Sequence, residues 1–496
     1  MPHVQATSLT NALATLDFAL RRLLTDFDTH TPLPRMFAAL ERTIHALARW
    51  FADTVFASFL FSILENTDLE PRVLAAKKAH TPAWKLTRKR EVALMLLGGH
   101  LVTLRVRAGR CKRRKGRKRG TGKRGKTSGH ANTPILEVFG FVRRRSPSLA
   151  NEELVASASL ESYEKGRDQL SRRGIDLSQS SFLRDIEVMG DLARDALFHW
   201  LQDPETPGPF DGLSAMGCRI VIAFDGGRLR ERIDKKGRKK LNGYRDFEAP
   251  WVEPRQLVIY AIDEDGEPCK TFGKLAYASL AGPDELFEMM GLWFGAIRLA
   301  EAEQVIVVAD GQHWQWERMR AVLRKVGVSE DKLLEVLDKS HAKGRLYEVA
   351  NVPNWCKNKR IRWLLQTRAM LREGRIEELI EACLALAKGR RAKVIKSLAG
   401  YFREHQKRMR YAYFEAMGVP LGSGAVESMI RQVINLRLKG CGKFWKRENA
   451  ERMLLLRSFL VTGRLDALFD FALEHRTVWW KDALDKESCA SQEVVV

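Results

Sequence analysis

RIVIAFDGG (219–227) is the stretch on which the fold turns: a β-branched apolar run that stops on an aspartate followed by two glycines. RQLVIYAI (255–262) and QVIVVA (304–309) are runs of the same kind. Short continuous apolar runs of this sort are expected of strands covered on both faces of a sheet. A third strand is expected near Lys270 to Leu280, then an amphipathic helix over Pro283 to Ala300. After QVIVVA come a helix over Trp314 to Val326 and a further strand in LLEVLD (333–338). The order strand, strand, strand, helix, strand, helix, strand predicts an α/β fold on a mixed five-stranded sheet, antiparallel at first and then extended by right-handed parallel crossovers. From about 346 to 418 the chain reads as helical and basic, so the sheet carries a helical insertion, and its last helix should begin after Gly424.

Outward from this centre, Leu9, Leu13, Leu16, Leu20, Leu23 and Phe27 recur at helical steps and predict one apolar stripe, read as core packing in preference to a dimerising coiled coil. Helical patterning is expected to about residue 100. Residues 110–126 then read RCKRRKGRKRGTGKRGK, with 11 of 17 positions Lys or Arg, and such a run cannot fold alone. A helix ending at Gly174 and another capped by Ser178 give a possible helix-turn-helix, with an ordinary helical hairpin equally open. The expected organisation is a helical N-terminal region (1–100), a basic flexible DNA-binding segment (101–134) and a second helical region (135–211). The first part of the α/β core (212–345), the helical insertion (346–418), the second part of the core (419–475) and a C-terminal tail (476–496) follow.

The 496 residues carry 84 Lys plus Arg against 61 Asp plus Glu, a net charge of +23. That excess favours a polyanionic partner, because each phosphate neutralised releases counterions. No apolar run reaches the roughly 18 to 20 residues of a membrane span, the longest lying near Val55 to Leu64, and no leader sequence is evident, so a cytoplasmic, nucleoid-associated protein with no membrane partner is expected. Seven scattered cysteines (Cys111, Cys218, Cys269, Cys356, Cys383, Cys441, Cys489), never spaced C-x-x-C, read as reduced thiols.

Asp225 and Asp310 each follow an apolar strand directly and each precede a glycine, which suggests an acidic pocket at the carboxyl edge of the sheet. Paired carboxylates there are costly unless a cation neutralises them, and magnesium suits oxygen ligands that leave room for water and phosphate. Strand-end Asp-Gly is also an ordinary turn. A third carboxylate, Glu427, lies in VPLGSGAVESMIRQ (419–432), early in a helix that can point back at the sheet, with Arg431, Arg437 and Lys439 as phosphate contacts. Arg228, Arg230, Arg232, Lys235, Lys236, Arg238, Lys239 and Lys240 form a second basic stretch after the first aspartate, able to guide a strand inward or to serve as a solvated loop.

The segments FDGGRLRER (224–232), WVEPRQ (251–256), VIVVADGQHWQWER (305–318), VLDKSHAKGRLYEVA (336–350), GSGAVES (422–428) and LRLKGCGKFWKRENAE (436–451) resemble the DDE transposases of bacterial insertion sequences, of the Mutator-like group. The resemblance covers roughly residues 212–460. It implies a ribonuclease-H-like core with Asp225, Asp310 and Glu427 as catalytic, metal-holding residues. Two Mg2+ ions, replaceable by Mn2+, would serve phosphoryl transfer without a covalent protein intermediate. His341, in an Asp338-x-x-His341 signature, is implied to be structural or to bind DNA ends, and Trp445 joins the DNA-contacting set. Relatives often carry zinc cysteines ahead of the core, whereas Cys111 stands alone here, so Lys112, Arg113, Arg114, Lys115, Arg117, Lys118 and Arg119 are expected to bind DNA directly. The implied partners are duplex DNA, as terminal inverted repeats and as target, and further copies of the chain on that DNA.

GTGKRGKT (120–127) matches the phosphate-loop pattern but lacks the preceding apolar strand and following helix that such a loop joins. Two other classes stay open: a non-transposing nuclease or resolvase on the same fold, and a transposase-derived DNA-binding protein that no longer cuts. Retention of all three carboxylates speaks against the last.

Overall fold

The computed structural model describes residues 4, 9–25, 33–111, 132–204, 208–210, 213–235, 237 and 246–493. The chain divides into two compact units, Met1–Ala196 with Leu468–Val496, and Leu197–Ala467.

In the second unit the apolar runs form one five-stranded sheet. Its strands are β3 (Arg219–Gly226), β4 (Arg255–Ile262), β5 (Lys274–Ser279), β6 (Gln304–Ala309) and β7 (Leu333–Leu337), after β1 and β2 of the first unit (Trp84–Met95 and Leu101–Cys111). Their order is β7-β6-β3-β4-β5. The β3, β4 and β5 pairings are antiparallel, whereas β6 joins β3 and β7 joins β6 in parallel. Ile220 to Phe224, Leu257 to Ile262 and Val305 to Ala309 are all buried, which is why these strands read as unbroken apolar runs. Parallel pairing needs crossovers, and helices Pro283–Ala296 and His313–Lys325 supply them. Helix Arg447–Val461 packs against β5. Trp293, Trp200, Phe210 and Phe459 close the core nearby, with the Phe210 and Phe459 rings stacked at 5.3 Å. Five helices between Lys339 and Ala416 fill the expected insertion.

The first unit departs from expectation. Residues 84–111, expected to be helical to about 100 and then flexible, are an antiparallel hairpin of β1 and β2. Val92, Leu94, Val102, Leu104 and Val106 alternate onto its buried face; lysines and arginines crowd the other face and mask the period of two. The C-terminal tail is also ordered structure: helix Val478–Glu493 sets Trp479 into the core of this unit, with the Lys77 ammonium 4.3 Å from its ring. The helix expected to end at Gly174 is Tyr163–Arg172, started by Ser162, whose hydroxyl accepts from Lys165 N at 3.1 Å. Ser178 likewise accepts from Ser181 N at 3.2 Å, ahead of helix Gln179–Gln202.

The N-terminal stripe is not core: Leu9 and Leu13, on helix Leu9–Thr25, are 57% and 49% exposed. Among the described residues one helix, Pro34–Asn66, is long and apolar enough to cross a membrane by length and composition alone. Arg49 and Asp53 lie within this helix, and its longest uninterrupted apolar run remains the one near Val55 to Leu64. Asp53 is buried and accepts from Gly98 N at 3.0 Å and His100 N at 3.3 Å, which ties this helix to the β1–β2 turn.

Candidate active site

The register of the sheet brings the two strand-end aspartates together. Val308 faces Ala223 across β6 and β3; Asp225 lies two residues beyond Ala223 on β3, and Asp310 follows directly after β6. Adjacent strands lie about 4.8 Å apart. On β7, Leu337 faces Ala309, so the next position is Asp338. Three aspartates therefore stand in a row across the carboxyl edge, and their surroundings separate them.

Asp225 is half-buried and accepts from Gly226 N at 2.7 Å. Its carboxyl is raised above the ordinary range, chiefly by burial, with the charges of Asp310 and Glu427 adding to the rise and the Gly226 hydrogen bond and His341 opposing it. Asp310 is half-buried and accepts from both Gln312 N and Gln312 Nε2 at 3.2 Å, through different carboxylate oxygens. Asp338 is only 1% exposed. One of its oxygens accepts from Ser340 N, Ser340 Oγ and His341 N, capping helix Lys339–Asn351, and the other accepts from Ser423 N at 2.5 Å. Burial alone would raise this carboxyl, but the bonds from Ser340, Ser423 and His341 outweigh it and hold it low. The lone pairs of Asp338 are thus engaged inside the protein, whereas those of Asp225 and Asp310 are largely open.

Glu427 is exposed on helix Gly424–Ile430, which packs on β3 and β4. Ser423 Oγ donates to its carboxylate at 3.3 Å. Gly227 lies close under it: an added Cβ there would lie 2.7 Å from Ile434 Cδ1 and 3.5 Å from Ile430 Cγ2. The helix runs on through a π turn at Arg431–Asn435, and Arg457 Nη2 donates to the Gln432 carbonyl within it. Single π turns inside α-helices are frequent at functional sites. Among the described residues no three His, Cys, Asp or Glu side chains are gathered into a ready metal cluster, Glu427 being turned towards Ser423.

Beside Asp310 lies a cavity of about 450 Å3, lined by Gly311, Ser340, His341, Arg345 and Tyr401 among others. Tyr401, from the helical insertion, donates to the Asp310 carbonyl at 3.2 Å, with the Arg345 guanidinium 5.1 Å from its ring. Burial pushes the Tyr401 hydroxyl up to about 12, so it stays a proton donor at neutral pH. Sequence reading missed Tyr401, Arg345 and the anchoring role of Ser423. Gly311 has φ +91, and a Cβ there would lie 2.6 Å from both Leu337 Cδ1 and the Tyr401 hydroxyl. Gly311→Ala is expected to cost about 1–3 kcal/mol, from left-handed strain and the forced displacement of Tyr401. Urea unfolding would read this cost, and an unchanged midpoint would refute it.

Of the side chains expected to meet DNA, Arg228, Arg230, His341, Arg431 and Lys439 are exposed. Arg230 lies over Trp251 at 4.9 Å and Phe444 at 5.8 Å. Arg437 and Trp445 are turned inward instead, 2% and 6% exposed, with the guanidinium 4.9 Å from the indole ring. Trp445 Nε1 donates to the Leu438 carbonyl, and the Trp445 backbone bridges to Arg230 and Arg232. These two residues fold the segment after the Glu427 helix, a packing role in place of the expected DNA contact. Lys112, Arg113, Arg114, Lys115, Arg117, Lys118 and Arg119 lie outside the described residues, as do the GTGKRGKT segment and Lys236, Arg238, Lys239 and Lys240.

No family model and no curated protein matches the chain.

Proposed function

We propose that the chain is a DDE transposase with a ribonuclease-H-like core, cutting element ends and joining them to target DNA. The observation that supports this reading is that Asp225, on β3, and Asp310, directly after β6, stand at the ends of neighbouring parallel strands, with the Asp310 and Glu427 charges felt at Asp225. The sheet order and the mixed directions of its strands accord with such a core, and Asp225 and Asp310 of the transposase-like motifs lie at the ends of two adjacent strands.

The residues fit a divalent ion on chemical grounds. Asp225 is partly desolvated and repelled by two carboxylates, an arrangement that a bound cation would relieve. Asp225, Asp310 and Glu427 would hold Mg2+ or Mn2+, with Glu427 rotating away from Ser423. Such ions would supply activation of a water or 3′-hydroxyl nucleophile and stabilisation of the leaving oxygen. The chain itself holds its carboxylates in register through the sheet, fixes the Asp310 backbone through Tyr401, and offers Arg228, Arg230, Arg431 and Lys439 to the phosphates. The excess of positive charge supports duplex DNA as partner.

The test combines stability with cleavage. A carboxyl raised by folding contributes stability below its unfolded pKa and loses it as pH rises through the folded value, so at pH 7.5 the Asp225 charge opposes folding. Asp225→Asn is therefore expected to melt higher than the wild type in EDTA. Mg2+ or Mn2+ should raise the melting temperature of the wild type but not of the variant. The wild type should also nick and join DNA carrying the inverted repeats that flank its gene, and do so only with a divalent ion. Equal metal responses in the two proteins, or cleavage that persists in EDTA, would defeat the proposal.

A further inference from the structure

The first unit contains a second polar cavity, of about 680 Å3, lined by Arg90, Arg143, Arg144, Arg145 and Arg476 with Thr133 and Glu137 among the remainder. Three of these arginines belong to, or close, an unusual turn. Val142 N donates to the Arg145 carbonyl at 3.1 Å and Arg145 N to the Val142 carbonyl at 2.8 Å, leaving Arg143 and Arg144 as a two-residue loop. Their φ angles are +45° and +72°. Loops of this hand normally use Asn-Gly, because a Cβ is disfavoured in the left-handed region.

The surroundings hold the turn in place. Met95 N donates to the Arg144 carbonyl at 2.8 Å, Arg476 Nη1 donates to the Phe141 carbonyl at 2.9 Å, and Arg143 Nε donates to Asp185 at 2.6 Å. Arg145 donates to Glu153 at 3.0 Å and lies 2.9 Å from Asp185. The side chain of Arg144 is exposed and, among the described residues, makes no hydrogen bond or ion pair. Strain of this kind persists where function uses it. Here it displays a guanidinium with no hydrogen-bond or ion-pair partner among the described residues.

The charge balance favours an anion. Against five arginines stand Glu137, Glu153 and Asp185. Glu153 is fully buried, and burial together with the Asp185 charge pushes its carboxyl up to about 8 despite Arg145, so it is largely protonated at neutral pH and subtracts little. A guanidinium offers two parallel donors to a phosphate, the geometry that distinguishes Arg from Lys. Asn132 also lines this cavity and receives the Trp84 indole hydrogen bond at 2.7 Å, so it sits beside the open end of the hairpin, where Trp84 faces Cys111.

We propose that this cavity binds a phosphate group of a nucleic-acid backbone and that Arg144 is the residue that meets it. The choice of a nucleic-acid phosphate over a free one rests partly on the transposase reading; the anion site does not.

The experiment uses the full chain with Arg144→Gly, since glycine fits φ +72 and removes the guanidinium together with the strained Cβ. The variant is expected to melt roughly 2–4 °C higher than the wild type. It should bind a short duplex about five- to tenfold more weakly at 0.1 M salt, with the slope of log affinity against log salt reduced by about 0.9, the share of one phosphate. Arg144→Lys should retain part of the affinity, and Arg172→Ala, at an exposed helical position outside the cavity lining, should change nothing. Inorganic phosphate, at matched ionic strength, should raise the melting temperature of the wild type and not of Arg144→Gly. Unchanged duplex affinity and slope in Arg144→Gly would overturn the proposal. So would a lower melting temperature, which would make Arg144 a support of the turn. A phosphate response lost in Arg144→Gly beside unchanged DNA affinity would overturn the nucleic-acid assignment in favour of a free anion. All of these readouts are binding or melting, so failure of the cleavage chemistry leaves them interpretable.

Discussion

Asp310→Asn is expected to abolish cleavage, by about 10³-fold or more, while leaving a folded protein that still binds element-end DNA. The basis is division of labour along the sheet edge. Asp310 follows β6 beside the strand that carries Asp225, its carboxylate engages Gln312 among the described residues, and its backbone is held by Tyr401, so the amide preserves size while removing charge. The basic side chains near the edge, Arg228, Arg230, Arg431 and Lys439, belong to other segments and are untouched. Binding should therefore keep its affinity and its salt dependence. Gel-shift and cleavage assays in Mg2+ on the purified variant would read both properties. An Asp310→Asn enzyme that cuts at the wild-type rate would remove Asp310 from the chemistry and with it the two-aspartate reading.

The sheet was legible in the sequence because strands covered on both faces leave continuous apolar runs, and RIVIAF, RQLVIYAI and QVIVVA are nothing else. The aspartates were legible for the same reason: each is the first charge after a buried strand. The hairpin of β1 and β2 was not, because only one of its faces is buried and the other carries Lys85, Arg88, Arg105 and Arg107, which dilute the alternation. Trp479 gave little warning, since a short aromatic cluster near a chain end does not say which surface it will meet. Tyr401 could not be found at all by local reading, being 91 positions from the Asp310 carbonyl it binds. Arg437 and Trp445 were misread because a cation and an aromatic ring close in sequence suit a nucleic acid and also suit each other; the structure stacks them together in the interior.

Asp338→Asn should have the opposite profile, with stability lost and chemistry retained. Its carboxylate joins two pieces of chain that are 85 positions apart, capping helix Lys339–Asn351 with one oxygen and receiving Ser423 N, at the head of the Glu427 helix, with the other. An amide can keep one of those oxygens but must present an N–H group to the second donor. In a site 1% exposed, that leaves a buried mismatch and the loss of charge-assisted bonds, expected to cost about 2–4 kcal/mol. The pH dependence separates this from a catalytic role. A carboxyl held below its ordinary value by folding contributes stability that is full above the unfolded pKa and is lost as pH falls through the folded one. The gap in unfolding free energy between wild type and Asp338→Asn should thus be constant at neutral pH and narrow below about pH 4, as the wild-type carboxyl itself takes up a proton. Denaturant melts at pH 7 and at pH 3.5, with cleavage measured at a temperature where both proteins are folded, would decide the matter. A folded but inactive Asp338→Asn enzyme, beside an active Asp310→Asn enzyme, would move the proposed metal-holding role one strand outward to β7.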